Sequence, residues 1–448
     1  MHARLTSKEF GGALGTLCDL RTGAPDAALS PREGDLLRPV WRRFRRARSL
    51  PARLVSETAE AASASQHAWA EARRRSDFKL LRPHLERIVR LKREAAACLG
   101  GAHPYDPLLD EYEPGMTVAE LDGLFGSLKG PLVALAGKAR GRGRRLAALA
   151  DSRHDGPSLD IFCRSLASDM GFDLSRGVIA RSAHPFSTGL HPTDVRFTIR
   201  TTGDGVMNQA LSALHECGHA LYEQSLDPRW WGTPLGEYAS LGMHEAMSRL
   251  WENLVGKSRE FWLGRWPSLR RAFPEALDGV SVDAALSHMR RVAPGTVRLE
   301  SDEVTYSLHI ILRYELEKSL ADGSLAVRDI QEAWNELSRE LLGLAPVDDR
   351  RGCLQDIHWA GGLIGYFPTY ALGNLYGAQL YARFCADHPG WDARLTRGEL
   401  APLTAWLKEK VYRHGRRWPA AELVRRATGR APSTEAFLAH LDARYAHG

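Results

Sequence analysis

Apolar residues recur at three- and four-residue spacing through most of the chain, which is the pattern of amphipathic helices. The clearest run covers residues 51–100, where leucine, valine and alanine follow this spacing with few helix-breaking residues. A second run covers residues 117–141, after the turn-like sequence YDPLLDEYEPGM. Glycine and proline mark breaks near 186–193, 227–236, 293–295 and 361–369. This pattern predicts a mainly α fold.

One segment has a different period. In DVRFTIR, residues 194–200, the apolar residues Val195, Phe197 and Ile199 alternate with polar ones, which indicates a half-buried strand. The segment GVIARSAHPF, residues 177–186, has the character of a partner strand. The sequence therefore predicts a small sheet shortly before residues 214–224, with arginines on its polar edge.

Composition restricts the class of protein. The 448 residues are 44% hydrophobic and 25% charged, as expected of a globular protein with a sizeable core, either one large helical domain or about three smaller ones. No run of about 18 apolar residues predicts a membrane span, and the N-terminal residues lack the apolar core of a secretion signal. The six cysteines show no CxxC spacing, which favours free thiols in a reducing compartment. We therefore expect a cytoplasmic protein without membrane association.

The formal net charge is +6, and arginines are concentrated in RPVWRRFRRARS, residues 38–49. Clustered arginines can neutralise the phosphates of a nucleic acid. The alternative is a solvated helix face with Val40, Trp41 and Phe44 turned inward. No nucleic-acid recognition motif accompanies the run, so we predict no nucleic-acid partner.

Candidate chemistry centres on LHECGHALYEQ, residues 214–224. In a helix, His215 and His219 lie on one face, one turn apart, so both can reach one metal ion. Glu216 lies about 100° round the helix, beside that ion rather than under it. Zinc in catalytic sites takes three protein ligands and a water, from which an adjacent glutamate can accept a proton. The alternative is a histidine pair that packs on an ordinary amphipathic helix.

A third ligand is expected from a second helix, predicted over residues 239–256. Glu223 has turned about 80° away from the face of His215 and is a poor candidate. Antiparallel packing of the two helices would bring Glu245 or Glu252 against the histidines. Because these two glutamates lie on one face, periodicity leaves the choice between them open.

Six short segments carry more information together than any one of them. They are His-Pro-Phe at 184–186, Asp-Val-Arg-x-Thr at 194–198, His-Glu-x-x-His at 215–219, His-Glu at 244–245, VRLESD at 297–302 and GCLQDIHW at 352–359. In this order they resemble the signatures of the carboxypeptidase Taq family of metallocarboxypeptidases. The resemblance extends from about residue 50 to near the C-terminus.

The resemblance implies that His215, His219 and Glu245 are the metal ligands and that Glu216 is the general base. It also implies a large helical single-domain fold with a deep active-site groove, a small β-sheet beside the metal, and a homodimer. Residues 1–448 would form one metallocarboxypeptidase domain, with an N-terminal helical part over about 1–115, shorter than is usual for the family, and a catalytic part over about 116–448. One divalent metal per subunit is expected, zinc by default, although cobalt and manganese accept the same ligands.

The chain departs from the family pattern in the second helix. After His-Glu the family usually has serine and then glycine or glutamine, whereas this chain has Ala246 and Met247. We therefore expect fewer polar groups to orient Glu245.

A carboxypeptidase must recognise a free carboxylate, which the planar fork of an arginine can bind. The candidates are Arg196, Arg298, Arg350 and Arg351, of which Arg298 is preferred and Arg350 is second. The resemblance favours Tyr370 over Tyr366 as a donor to the oxyanion. The other residues expected to line the site or to hold its ligands are His184, Asp194, His244, Gln355, Asp356 and His358.

Two other functions would fit part of this pattern. An HExxH endopeptidase or aminopeptidase would share the metal site without needing the substrate's terminal carboxylate. A catalytically silent helical binding protein would have no chemical need for Glu216. The sequence therefore favours a metallocarboxypeptidase that acts on peptides with a free C-terminus.

Overall fold

The computed structural model describes residues 2–150, 156–200 and 205–446, and most of them are helical. The helices are α1 His2–Leu5, α2 Lys8–Gly15, α3 Pro31–Ser49, α4 Ala52–Arg75, α5 Phe78–Leu99, α6 Asp106–Leu109, α7 Val118–Ala139, α8 Ala147–Ala150, α9 Gly156–Met170, α10 Val206–Gln224, α11 Leu241–Arg249, α12 Arg259–Ala272, α13 Val282–Met289, α14 Tyr306–Asp322, α15 Ile330–Leu342, α16 Pro368–Asp387, α17 Trp391–Thr396, α18 Ala401–Lys410, α19 Ala420–Thr428 and α20 Glu435–Tyr445. The strands are β1 Gly177–Arg181, β2 Ser187–His191 and β3 Asp194–Ile199. The predicted mainly α fold is confirmed.

Local sequence explains where the long helices begin and end. The helical run predicted over 51–100 is two helices, α4 and α5, because Ser76 adopts a left-handed conformation at φ 54° and Asp77 then caps α5 by accepting the N–H of Lys79. Helix α7 begins at a capping box in which Thr117 and Glu120 satisfy each other's backbone N–H groups. Each boundary is therefore fixed by side chains within one turn of it.

The small sheet has β3 at its centre, paired parallel with β1 and antiparallel with β2. Val195, Phe197 and Ile199 are buried on β3, as their alternation predicted. The predicted partner strand is confirmed over Gly177–Arg181 only. The edge strand β2 was not predicted, because Ser187–His191 lies in a glycine- and proline-marked break and buries none of its residues.

Three helices pack closely to form the centre of the molecule. A Cβ atom on Gly218 of α10 would lie 2.7 Å from the backbone oxygen of Met247 on α11. A Cβ atom on Gly373 of α16 would lie 2.7 Å from Cγ of Glu245. Both distances are shorter than real Cβ contacts, so these glycines permit α11 to lie between α10 and α16. Glu245 is thereby held deep in the core.

The arginine-rich segment forms part of α3, which packs on a separate small core of the N-terminal helices. Phe44 is buried there, and Val40 and Trp41 are partly buried against the same cluster, as predicted for a helix with one inward face. Among all the described residues, no helix is long and apolar enough to cross a bilayer.

Candidate metal centre

The two predicted histidines project from α10 toward α11. His215 Nε2 and His219 Nε2 lie 3.8 and 3.5 Å from the same oxygen, Oε2 of Glu245. In tetrahedral zinc sites, bonds of about 2.0–2.2 Å place neighbouring ligand atoms about 3.3–3.6 Å apart. One atom from each of the three side chains lies within 4.8 Å of the other two, so the group fits a single metal ion without large rearrangement.

Glu252 contacts the opposite nitrogen of His215. His215 Nδ1 donates to Glu252 Oε2 over 2.8 Å, which leaves the lone pair on Nε2, the atom that faces Glu245. Glu252 reaches this position from a π-helical turn, Leu250–Val255, that continues α11. The geometry therefore separates the two glutamates that periodicity could not distinguish: Glu245 faces the Nε2 atoms of both histidines, and Glu252 binds Nδ1 of His215.

The carboxylate of Glu245 is itself held by polar neighbours. Arg249 Nε donates to Oε1 over 2.8 Å, and the Ser248 hydroxyl donates to Oε2 over 3.1 Å. Burial alone would raise the pKa of Glu245, but the Arg249 and histidine charges lower it below its usual range. Ala246 and Met247 have no polar side chain to orient Glu245, and Ser248 and Arg249 supply these two donors three and four residues after it.

The pKa values of the two histidines are shifted in opposite directions. Burial would lower the pKa of His215, but the Glu252 hydrogen bond and the nearby carboxylates outweigh it and raise the pKa to about 9. Burial and the neighbouring His244 lower the pKa of His219 to about 3. A metal requires both imidazoles neutral, so binding to His215 would displace a proton that Glu252 otherwise favours.

His244 packs beside the group without joining it. Its ring stacks on that of His219 at 4.4 Å between centroids, and its Nε2 donates to Glu223 Oε1 over 3.1 Å. Glu223, rejected as a metal ligand on helical geometry, instead fixes His244. This makes His244 a support for His219 in the structure.

Glu216 is buried next to the metal group. Its side chain is enclosed, and burial raises the pKa of its carboxyl to about 6, with the Glu245 and Glu252 charges acting in the same direction against His215. A carboxyl with a pKa near neutrality is suited to accept and return a proton.

Two tyrosines and a histidine from the start of α16 and the segment before it form the next layer. The rings of Tyr366 and Tyr370 lie 5.5 Å apart, and the Tyr370 hydroxyl lies 3.2 Å from His358 Nε2. Burial raises the pKa of both phenols, and the negative charge of Glu245 acts in the same direction. Both hydroxyls therefore keep their protons at neutral pH. The structure thus brings Tyr366, Tyr370 and His358 together near the metal group, as the sequence predicted.

Arg298 lies behind this layer in a buried ionic cluster. Its guanidinium is 5.1 Å from the centre of the Tyr370 ring, and its Nε and Nη2 donate to Asp356 Oδ1 over 3.1 and 2.7 Å. Arg313, which is fully buried, donates to the other oxygen of Asp356. Gln355 fixes the backbone by accepting the Arg298 N–H. The guanidinium fork of Arg298, the preferred candidate for binding a substrate carboxylate, is thus paired with Asp356 in this structure.

Comparison with known proteins places the chain in a family. The family model described as carboxypeptidase Taq (M32) metallopeptidase matches residues 1–445. The chain is 41% identical to thermostable carboxypeptidase 1 of Thermus thermophilus over 465 aligned positions, covering 100% of this chain and 89% of that protein. It is 37% identical to carboxypeptidase 1 of Bacillus subtilis, covering 86% and 77% of the two chains. Its fold is similar to the M32 carboxypeptidase structure from Deinococcus radiodurans, with a TM-score of 0.93, 38% identity and 99% and 88% coverage.

The chain belongs to the carboxypeptidase Taq family. It is thus a metal-dependent peptide hydrolase of the carboxypeptidase type, as the six motifs indicated. The family match begins at residue 1, so the likeness extends some 50 residues further toward the N-terminus than the motifs alone suggested.

Four residues predicted for the site of this M32 carboxypeptidase have their partners outside the histidine group. On the sheet, Asp194 pairs with Arg196, and exposed His184 lies within 3.0 Å of an Arg200 nitrogen. Arg350 is exposed beside the turn that joins α4 to α5, where its N–H donates to Ser76 Oγ. In the described parts of the chain, the hydrogen bonds and ion pairs of these four residues do not include His215, His219 or Glu245.

Sequence reasoning did not single out Glu113, which supports the N-terminus of α11, the helix that carries Glu245. Its carboxylate accepts from the Ser240 hydroxyl over 3.0 Å, the Gly242 N–H over 3.1 Å and the Tyr376 hydroxyl over 3.1 Å. A Cβ atom on Gly242 would lie 2.4 Å from this carboxylate, so the close approach requires glycine. No short motif marks Glu113, because its partners lie more than 120 residues away.

The Glu113 carboxyl should make stability depend on pH. Burial raises its pKa to about 7 from 4.5, so its stabilising contribution is complete below pH 4.5 and is lost as pH rises through 7. Relative to wild type, Glu113→Gln should therefore gain stability between pH 5 and 8, by at most about 1.4 kcal/mol per pH unit. Calorimetric melting curves of both proteins across this range measure the difference. A constant difference in Tm at all pH values would contradict the assignment.

Proposed function

We propose that the chain removes C-terminal residues from peptides at a zinc ion held by His215, His219 and Glu245. The observation that carries this proposal is the approach of two imidazole Nε2 atoms to one oxygen of Glu245, with Glu252 and Arg249 holding the ligands from behind. Nitrogen and carboxylate donors in a His₂Glu set are those of catalytic zinc, and cobalt or manganese can occupy such a set as well.

The chemistry assigned to Glu216 is that of a general base. A bound divalent metal supplies Lewis acidity, which lowers the pKa of water and polarises the peptide carbonyl. Glu216 accepts the proton of the attacking water and then returns it to the amine that leaves. Its buried position and a pKa raised to about 6 support this role, because the carboxylate form predominates at neutral pH while the acid form remains accessible.

Tyr370 is assigned to the oxyanion that develops on the carbonyl. Its hydroxyl is a proton donor at neutral pH, because burial raises its pKa far above the usual range. His358 holds this hydroxyl from one side, and Tyr366 packs on the other. A donor that is fixed before reaction stabilises the oxyanion without reorganisation during the reaction. His184, Asp194, Arg196 and His244 are proposed to shape the surroundings of this site rather than to react.

The C-terminal carboxylate of the substrate is proposed to interact with the positive charge of the cluster formed by Arg298, Arg313 and Asp356. Arg298 and Arg313 share the single carboxylate of Asp356, so the cluster has one more positive than negative charge. Glu317, the further carboxyl near Arg313, has its pKa raised by burial to about 7 and is only partly ionised at neutral pH. A buried surplus of charge is costly unless an anion compensates it. We propose that the substrate's carboxylate is that anion, with Arg298 preferred over the exposed Arg350.

Metal removal tests the zinc assignment. The purified protein should contain one zinc per chain by elemental mass spectrometry, and a chelator should abolish stepwise C-terminal shortening of a mixed peptide set. Adding zinc back should restore it, because the ligand side chains remain in place. Fragments from internal cleavage or from N-terminal shortening would contradict the carboxypeptidase assignment. Restoration of activity by manganese but not by zinc would show that the functional metal is manganese.

We further propose a cytoplasmic homodimer without a nucleic-acid partner. All six cysteines are free thiols, which fits a reducing compartment. The domain proposal is that residues 1–448 act as one unit, with about 1–115 as its N-terminal helical part and 116–448 as its catalytic part. Light scattering at micromolar concentration should give twice the mass of the 49.7 kDa chain. A mass of one chain at that concentration would contradict the dimer.

A further inference from the structure

A cavity of about 850 Å³ lies outside the metal centre. It is bounded by α3, by the segment around α6 and by residues 416–419, and none of the residues assigned to the metal centre lines it. Its volume is within the range of about 300–1,000 Å³ that small-molecule pockets occupy. The cavity is therefore large enough for a ligand of its own.

Arginine dominates the lining of this cavity. Seven arginines contribute to it, and no lysine or histidine does: Arg38, Arg42, Arg43, Arg45, Arg46, Arg416 and Arg417. Arginine presents a planar fork of donors that matches the oxygens of phosphate and carboxylate groups. The lining is thus suited to an anion.

Part of this charge is already compensated. Arg42 pairs with Asp110, Arg46 with Glu111 and Arg417 with Asp35, whereas Arg43 and Arg416 share Glu237. The third acidic residue of the lining, Asp106, accepts the N–H groups of His103 and Val118. Arg38 and Arg45 have no carboxylate partner among the described residues. Seven arginines therefore face five carboxylates, and the surplus lies on α3.

The spacing of the two uncompensated arginines indicates the size of the anion. Arg38 and Arg45 are seven residues apart on α3, so their Cα atoms lie about 10 Å apart along one face of the helix. Both side chains are exposed, so they are free to reorient toward a ligand. One phosphate group cannot contact both without drawing them together, whereas a chain of linked phosphates can extend between them.

We propose that this cavity binds a small molecule that carries two or more linked phosphate groups. Inorganic triphosphate and a nucleoside triphosphate share this chemistry, and the phosphate chain is the part that Arg38 and Arg45 recognise. A nucleic acid is less well matched, because the arginines converge on a concave space formed by three separate segments instead of following an open ridge.

Calorimetric titration of the zinc-loaded protein with inorganic triphosphate tests this site, in about 0.15 M salt and excess magnesium. We expect one triphosphate per chain and affinity at least tenfold higher than for inorganic monophosphate. Arg38→Gln/Arg45→Gln should weaken triphosphate binding roughly tenfold, since two exposed charge contacts are lost. A matched control is Arg32→Gln/Arg48→Gln, which removes two exposed arginines of the same helix that do not line the cavity.

Each outcome of this titration decides for or against the site. Wild-type affinity in the control with weakened binding in the cavity variant supports it. Tighter binding of a nucleoside triphosphate than of triphosphate would support it and identify a nucleotide as the source, whereas equal binding would identify the phosphate chain alone. Equal weakening in both double variants would attribute binding to overall charge and overturn the proposal. Binding of a single-stranded RNA oligonucleotide without binding of either triphosphate would overturn it too.

Discussion

Replacing Glu216 by glutamine should eliminate nearly all peptidase activity while leaving the metal bound. Glutamine has nearly the same shape and cannot accept a proton at neutral pH, so the general base is lost but no metal ligand is. General acid–base groups contribute about 10²–10⁴-fold to rate, and we expect kcat to fall on the order of a thousandfold or more. Single-turnover hydrolysis of a short peptide, with metal content measured on the same sample, provides the test.

Two further variants test the metal ligands, and their zinc content is compared with that of Glu216→Gln. Glu245→Ala should lose the ion or bind it far more weakly, because it removes an atom that His215 and His219 both face. Glu252→Gln should retain the ion with lower affinity, since an amide can still accept from His215 Nδ1 but carries no charge. If a Glu252 variant loses its zinc and Glu245→Ala keeps it, the ligand assignment is wrong. If Glu216→Gln loses zinc, its role as a base is wrong.

The position of the metal group was predictable because it depends on local spacing. The four-residue interval between His215 and His219 fixes their relation in any helix, and their shared face is what the structure shows. The alternation of apolar residues likewise predicted the burial of Val195, Phe197 and Ile199, and the second helix predicted over residues 239–256 begins where α11 lies. These features depend on neighbours within one or two turns, which the sequence displays directly.

The choice between Glu245 and Glu252 required the backbone. Periodicity treats residues 239–256 as one regular α helix, in which residues seven apart share a face. In the structure α11 ends at Arg249 and a π-helical turn follows, so Glu252 meets His215 from the Nδ1 side. No local pattern in the sequence announces this turn, and only the family resemblance had favoured Glu245.

Contacts between distant segments were also beyond sequence reasoning. Arg298 and Asp356 are 58 residues apart, and Glu113 and Gly242 are 129 apart. A single sequence shows that such residues carry charge but not which partner neutralises it. For this reason the engaged fork of Arg298 and the support that Glu113 gives to α11 became visible only in the folded chain.

Replacing Arg298 by alanine should reduce hydrolysis of peptides with a free C-terminus much more than hydrolysis of amidated ones. The cluster would lose its surplus positive charge, and Asp356 would be left with Arg313 alone. Removing one partner of a buried charge pair costs about 2–5 kcal/mol, so kcat/KM for free peptides should fall by a factor on the order of thirty to several thousand. Metal content should not change, because Arg298 pairs with Asp356 and not with a proposed metal ligand.

The ratio of kcat/KM for free and amidated peptides separates substrate recognition from support of the fold. We expect this ratio to fall at least tenfold in Arg298→Ala, because only the free carboxylate interacts with the lost charge, by about 1.4 kcal/mol or more. Arg298→Lys provides a second variant if alanine prevents folding: it keeps the charge beside Asp356 and should keep most of the ratio. Arg350→Ala, at the exposed turn beside Ser76, is the control and should leave the ratio unchanged. Equal losses on free and amidated peptides in Arg298→Ala would show that Arg298 only holds Asp356 in place. A changed ratio in Arg350→Ala would show that Arg350 binds the substrate's carboxylate.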